Sequence, residues 1–266
     1  MGSDAARYQG YETLTVDADE HGVVEMTFNR PERLNAFNGA MRSEIRRFVH
    51  EFGADPHGRA LVLTGAGRAF CSGADLADPD QRPWPTTGPE PLFTTASELL
   101  QLPKPTIAAI NGVAAGGGLA MALCCDIRIC ATDTRLLPIW LKRAIHPDGL
   151  ITWTLPQLVG HSRALRWLYL AEDIPLDEAI TAGLITEVVA PDQLLGTARK
   201  LAARLAGGPT AHFALTKQAV LANLLHPPAE AALIEHWGID RGRATEDAKE
   251  GVAAFRERRE PNFKGR

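Results

Sequence analysis

What the chain lacks narrows its reading first. It has four cysteines, Cys71, Cys124, Cys125 and Cys130, and no two are spaced as C-x-x-C. No histidine cluster completes a donor set, so neither a zinc ribbon nor a thioredoxin-like redox pair is expected. Reduced, buried thiols in a cytoplasmic protein are the expectation. No basic stripe stands out: the net charge is −4, and Arg256, Arg258 and Arg259 are interleaved with Glu257 and Glu260. Nucleic acid is therefore not an expected partner. No apolar run is long enough to span a membrane. The first residues have no apolar core of a signal peptide, and Ala6 breaks the myristoylation pattern after Met1-Gly2.

Three glycine signatures are missing as well. Gly65-Ala66-Gly67 begins like a dinucleotide fingerprint, but Phe70 stands where its last glycine belongs. No Gly-Lys-Ser/Thr follows, which excludes a phosphate loop. Ser72 lies in Cys-Ser-Gly rather than in a G-x-S-x-G elbow, which argues against a serine hydrolase.

What is present suits one sizeable globular domain of 266 residues, 45% hydrophobic and 23% charged. Strand patterns run from Tyr11 to Val16 and Val23 to Phe28, with His21-Gly22 at the turn between them. Asn38 is placed to cap a helix carrying Met41, Ile45, Phe48 and Val49 on one face. Strands are expected at Ala60 to Thr64, Thr106 to Ile110 and Asp126 to Ala131, and helices at Thr94 to Gln101 and Gly117 to Leu123. Pro79 to Pro91 holds five prolines and reads as a loop beside the site. Beyond Pro147 the pattern is mostly helical.

The most informative feature is a pair of glycine-bearing segments, Gly65 to Leu76 and Asn111 to Ala120. Each follows a strand and leads toward a helix. Such a junction leaves backbone N–H groups free. Two aimed at one point make an oxyanion hole, which stabilises negative charge on a carbonyl oxygen.

These segments resemble those of the crotonase family, the enoyl-CoA hydratase/isomerase superfamily. Asn29 to Asn38, Leu102 to Gly112, Cys125-Asp126-Ile127-Arg128 and Glu250 to Phe255 agree in the same order, so the likeness runs from about Val23 to the C-terminus. The pattern is nearest the isomerases of the ring-opened phenylacetyl-CoA pathway. The resemblance implies an α/β fold, a crotonase-type spiral of ββα units with a C-terminal helical region. Residues 1–200 would form the core with the acyl-CoA site, and residues 201–266 a helical trimerisation region. It implies an acyl-CoA thioester as substrate, with coenzyme A entering as part of it and no cofactor bound permanently. It also implies a homotrimer or a dimer of trimers.

By the same resemblance, the oxyanion donors are the N–H groups of Ala74 and Gly117. Family hydratases carry glutamates at the positions of Ala120 and Trp140. Neither residue here moves a proton, so hydration lacks its usual acid and base. One carboxylate, Asp148 in Pro147-Asp148-Gly149, stands where several family isomerases place a single working aspartate. Its competing reading is a helix N-cap. Hydration by other residues, or silent acyl-CoA binding, remain the alternatives. A dehalogenase branch pairs tryptophan with aspartate at this spacing, but its histidine base is missing near Phe93. Arg30, Ala74, Asp75, Leu76, Phe255 and Arg258 match coenzyme A contacts, with Phe255 and Arg258 one turn apart on a final helix. Trp84, Ala120, Trp140, Leu150 and Ile151 are the expected acyl pocket. His146 reads as structural.

Overall fold

The structure is a computed structural model that describes residues 7–78 and 91–266. Its strands alternate between two sheets. The larger has the order β1 (Leu14–Ala18), β2 (Val23–Phe28), β3 (Ala60–Gly65), β5 (Thr106–Ile110), β7 (Ile127–Ala131) and β9 (Glu187–Val189). Only β1 and β2 pair antiparallel; the other neighbours are parallel. The smaller sheet stacks β4 (Ala69–Cys71), β6 (Val113–Ala115) and β8 (Arg135–Leu137), all parallel. After β1 and β2, both in the large sheet, the chain from β3 onward lays one strand in each sheet, then one or more helices, and repeats. This is the expected spiral of ββα units.

The central strands β3, β5 and β7 are buried on both faces, as a covered parallel sheet requires. In β3, Leu61 and Leu63 enter the main core, while Ala60 and Val62 face a second core. That second core is closed by α7 (Leu194–Ala206), whose Ala198, Ala202 and Ala206 recur every four residues and form one small-residue face. Residue 200 therefore lies inside α7.

Asn38 caps α1 (Gly39–Ala54) as its sequence suggests, its Oδ1 accepting from the Met41 N–H at 2.9 Å. Met41, Ile45, Phe48, Val49 and Phe52 are buried along its face. The first strand differs from expectation: it starts at Leu14 rather than Tyr11. The N–H groups of Glu12 and Thr13 donate to the Glu44 carboxylate at 2.8 and 2.9 Å, so a side chain takes the place of a strand neighbour. All four cysteines are buried and unpaired. Burial pushes the Cys71, Cys125 and Cys130 thiols up to about 12, which keeps them inert.

Two asparagines, Asn35 buried and Asn111 half-buried, fasten the first glycine segment. Asn35 is fully buried; its Oδ1 accepts from the Arg30 N–H, and its Nδ2 donates to the Ala66 and Ala69 carbonyls at 2.9 and 2.7 Å. Asn111 bonds both the N–H and the carbonyl of Gly65 and the carbonyl of Gly67. Phe28 packs edge-on against Phe37 and Phe70, with ring centroids 5.6 and 5.4 Å apart. Such pairs add about 0.5–1.5 kcal/mol each beyond burial.

The glycine segments then meet. Gly73 has φ +92°, and a Cβ placed on it would lie 2.8 Å from the Ala115 carbonyl oxygen and 3.4 Å from the Gly117 nitrogen. Gly73→Ala should therefore lose about 1–2 kcal/mol from the left-handed backbone alone, and more from pushing the turns apart. Urea denaturation reads this; an unchanged midpoint would mean that the turns do not touch.

Candidate functional site

The first glycine segment ends in a short parallel bridge. The Phe37 N–H donates to the Gly73 carbonyl at 2.8 Å, and the Asp75 N–H donates to the Phe37 carbonyl at 3.0 Å. Both groups flanking Ala74 thus face Phe37. The N–H of Ala74 must face the other way, because successive peptide groups in an extended segment alternate sides. Ala74 is exposed.

The second segment supplies its donor from the interior. Gly116 donates to the Leu137 carbonyl, and α3 (Gly117–Leu123) begins at the next residue. The first N–H groups of a helix have no acceptor within it, so Gly117 offers a buried one. With Gly73 lying against Gly117, the two expected donors, Ala74 and Gly117, come from turns that touch.

Asp148 reaches the same neighbourhood. It precedes α4 (Ile151–Val159). Its neighbour Gly149 lies against Ala120, one turn into α3: a Cβ on Gly149 would be 2.8 Å from the Ala120 Cβ. Asp148 is half-buried, and burial pushes its carboxyl above the usual carboxylate range. The Trp140 indole works against that rise, donating to Asp148 Oδ1 at 2.8 Å. The charges of His146 and Arg42 act in the same sense, more weakly.

The N-cap alternative for Asp148 is overturned. Leu150 occupies the cap position of α4, with φ +66° and no side-chain cap bond. The Asp148 carboxylate is turned to Trp140 instead. His146 is exposed, with Nδ1 2.7 Å from the Pro147 carbonyl oxygen.

The other expected residues divide. Ala120 and Ile151 are fully buried, Trp140 is 5% exposed, and Leu150 is half-buried. Trp84 and residues 79–90 lie outside the described residues. Arg30 and Asp75 are bonded to each other, with Arg30 Nη2 2.9 Å from Asp75 Oδ2. Leu76 is 57% exposed beside them, and Phe255 is 84% exposed on α10 (Glu246–Glu257), so it is not a core residue. Arg258 does not share a helical face with Phe255. It is the left-handed residue that ends α10, at φ +55°.

Sequence reasoning missed three features. Arg42 has no local signal; only the fold carries its charge toward Asp148. The Arg30–Asp75 pair joins residues 45 apart, each noticed for another reason. The Trp140–Asp148 bond was foreshadowed only by spacing.

Comparison with known proteins agrees with this fold. The family model for enoyl-CoA hydratase/isomerase matches residues 18–266. The chain is 39% identical to a Rhodobacter capsulatus protein named "Probable enoyl-CoA hydratase", with 96% of this chain and 99% of that protein covered. It is 38% identical to the 1,2-epoxyphenylacetyl-CoA isomerase of Escherichia coli, covering 93% and 97%. Among solved structures, the enoyl-CoA hydratase of Bacillus anthracis superposes with a TM-score of 0.89 at 32% identity, covering 96% of this chain and 100% of that one. From residue 18 onward the chain belongs to the enoyl-CoA hydratase/isomerase family.

Proposed function

We propose that the protein is an acyl-CoA isomerase that shifts a double bond through a thioester enolate, with Asp148 as its single acid/base. The observation that carries this is the Asp148 carboxylate. It is half-buried and held by the Trp140 indole, and the next residue, Gly149, lies against Ala120, where the family resemblance places a hydratase glutamate.

The ionised carboxylate removes a proton from the α-carbon of a β,γ-unsaturated thioester. The electrons move onto the thioester oxygen, which the N–H groups of Ala74 and Gly117 stabilise. The same carboxyl group then returns the proton to the γ-carbon. No atom is gained or lost, and no second acid is required. Two preorganised donors in a site shielded from water can each contribute about 3 kcal/mol to such a step. The name of the Escherichia coli relative favours aromatic or ring-derived acyl groups as the first substrates to try.

Self-association is part of the proposal, as a homotrimer or a dimer of trimers. It is supported by α8 (Thr210–Asn223), α9 (Pro228–Arg243) and α10, which together expose Val220, Leu233, Trp237, Val252 and Phe255. Apolar side chains grouped in this way mark contact surfaces.

The test is a panel of unsaturated acyl-CoA thioesters, including 1,2-epoxyphenylacetyl-CoA, followed by absorbance and mass. The native protein should give a product of unchanged mass. A product heavier by one water would favour hydration, and tight binding without turnover would favour a silent binder. Asp148→Asn should lower turnover on the order of 10²–10⁴-fold and leave thioester affinity nearly unchanged. Its thermal midpoint at neutral pH should hold or rise. A carboxyl pKa raised by folding stabilises the protein only while protonated, and that contribution is lost as pH rises through the folded value. A clear fall in the midpoint would mean that the charged carboxylate supports the fold.

Trp140→Phe removes a bond that favours ionised Asp148. The carboxyl value should rise further. The acidic limb of the kcat/KM profile, where the base is lost by protonation, should move to higher pH. An unmoved limb would detach Asp148 from the reaction.

A further inference from the structure

The Arg30–Asp75 ion pair occupies a revealing place. Arg30 Nη2 donates to Asp75 Oδ2 at 2.9 Å, and Nη1 donates to the Ala36 carbonyl at 2.5 Å. The side chains are only 16% and 11% exposed, so solvent screens the pair weakly. Ala36 precedes Phe37, and Asp75 follows Ala74. Phe37 and Ala74 are the two residues of the parallel bridge. The guanidinium therefore grips both strands of that bridge, at the residues next to Phe37 and Ala74.

Arg30 is itself held. Its N–H donates to Asn35 Oδ1 at 2.9 Å, and Asn35 Nδ2 binds the turn at Ala66 and Ala69. The loop beyond Asp75 is fastened too. The Ala77 N–H donates to Asp75 Oδ1, and Asp78 Oδ2 accepts from the Gly39 N–H at the start of α1. The donor peptide thus hangs from a frame in which Arg30 is the crosspiece.

We infer that Arg30 and Asp75 are positioning residues for the oxyanion donor at Ala74, and that Arg30 is committed to this task rather than to a phosphate of coenzyme A. This rests on the acyl-CoA reading above, though not on the identity of the reaction. The role follows from geometry: a bridge of two hydrogen bonds fixes which side the Ala74 N–H faces, and the ion pair fixes how far the bridge can open. A lysine at position 30 keeps the charge but cannot span two acceptors with a planar fork.

The experiment reads carbonyl polarisation without turnover. An acyl-CoA thioester and the corresponding acyl-pantetheine, which lacks the nucleotide phosphates, are bound to native protein, Arg30→Lys and Asp75→Asn. The thioester carbonyl stretch is followed by isotope-edited infrared difference spectroscopy, and both affinities by calorimetry. Both variants should lose much of the downward shift in carbonyl frequency that native protein produces. Turnover on any accepted substrate should fall on the order of 10–100-fold, the scale of a small misplacement. The affinity ratio between acyl-CoA and acyl-pantetheine should stay at its native value in both.

If Arg30→Lys weakens acyl-CoA alone, and Asp75→Asn keeps the native carbonyl shift, Arg30 is a phosphate contact and the inference is overturned. A native shift in both variants overturns it as well. If native protein binds the thioester with no shift, the oxyanion reading itself has failed, a result separate from a failure of the pair. A hydratase product with intact shifts would sink the isomerase and leave the pair's role standing.

Discussion

Everything at this site depends on two stretches of main chain touching without side chains between them. Gly73 lies where any Cβ would strike the Ala115 carbonyl, and its φ of +92° suits no other residue well. That contact joins a turn that follows β4 to the turn that opens α3, so the first glycine segment leads to a bridge at Ala74 and not to the expected helix. Of the two proposed donors, Ala74 is exposed and Gly117 is buried at the head of α3. A thioester oxygen placed between them meets the solvent side of the site and its interior at once. The aromatic trio of Phe28, Phe37 and Phe70 and the amides of Asn35 and Asn111 hold that contact from behind. Most polar groups near the turns serve their backbone rather than a ligand.

The proposed proton-transfer group is mounted differently. The oxyanion donors are peptide groups fixed by bridges and helix starts. Asp148 stands on a turn between two left-handed residues, Gly149 and Leu150, and a short 3-10 helix at Leu141–Arg143. Its orientation comes from the Trp140 indole. Its charge is set by opposing influences, with burial raising the proton affinity and the indole lowering it. A base poised in this way need not be ionised at any cost, because the same group must take up and release one proton.

The sequence exposed the fold where local pattern and tertiary need coincide. Thr106–Ile110 and Gly117–Leu123 were legible to the residue because each is a compact run that begins or ends at a glycine or proline signal. The Asn38 cap was legible because its side chain serves its own helix. The start of β1 was not, because Glu44, on another element, takes the N–H groups of Glu12 and Thr13. Strand β9 was missed because its three residues find their reason only in β7. At the candidate site, Ala74, Gly117 and Asp148 were singled out through a family resemblance. Their mutual arrangement belongs to contacts between residues far apart in the chain, such as Gly149 on Ala120 and Arg30 on Asp75. No local pattern encodes those pairings.

The contact between Gly149 and Ala120 also bears on how such a chain can change by descent. Ala120 is fully buried, and the turn carrying Asp148 presses on its methyl group. A glutamate at this position would need the volume that the turn occupies. On the proposed role of Asp148, the two proton-transfer arrangements compete for one space, and acquiring the second would require the first to move. Interconversion requires the Asp148 turn to retreat before position 120 can lengthen. That ordering is a form of epistasis written into the packing of one methyl group against one glycine.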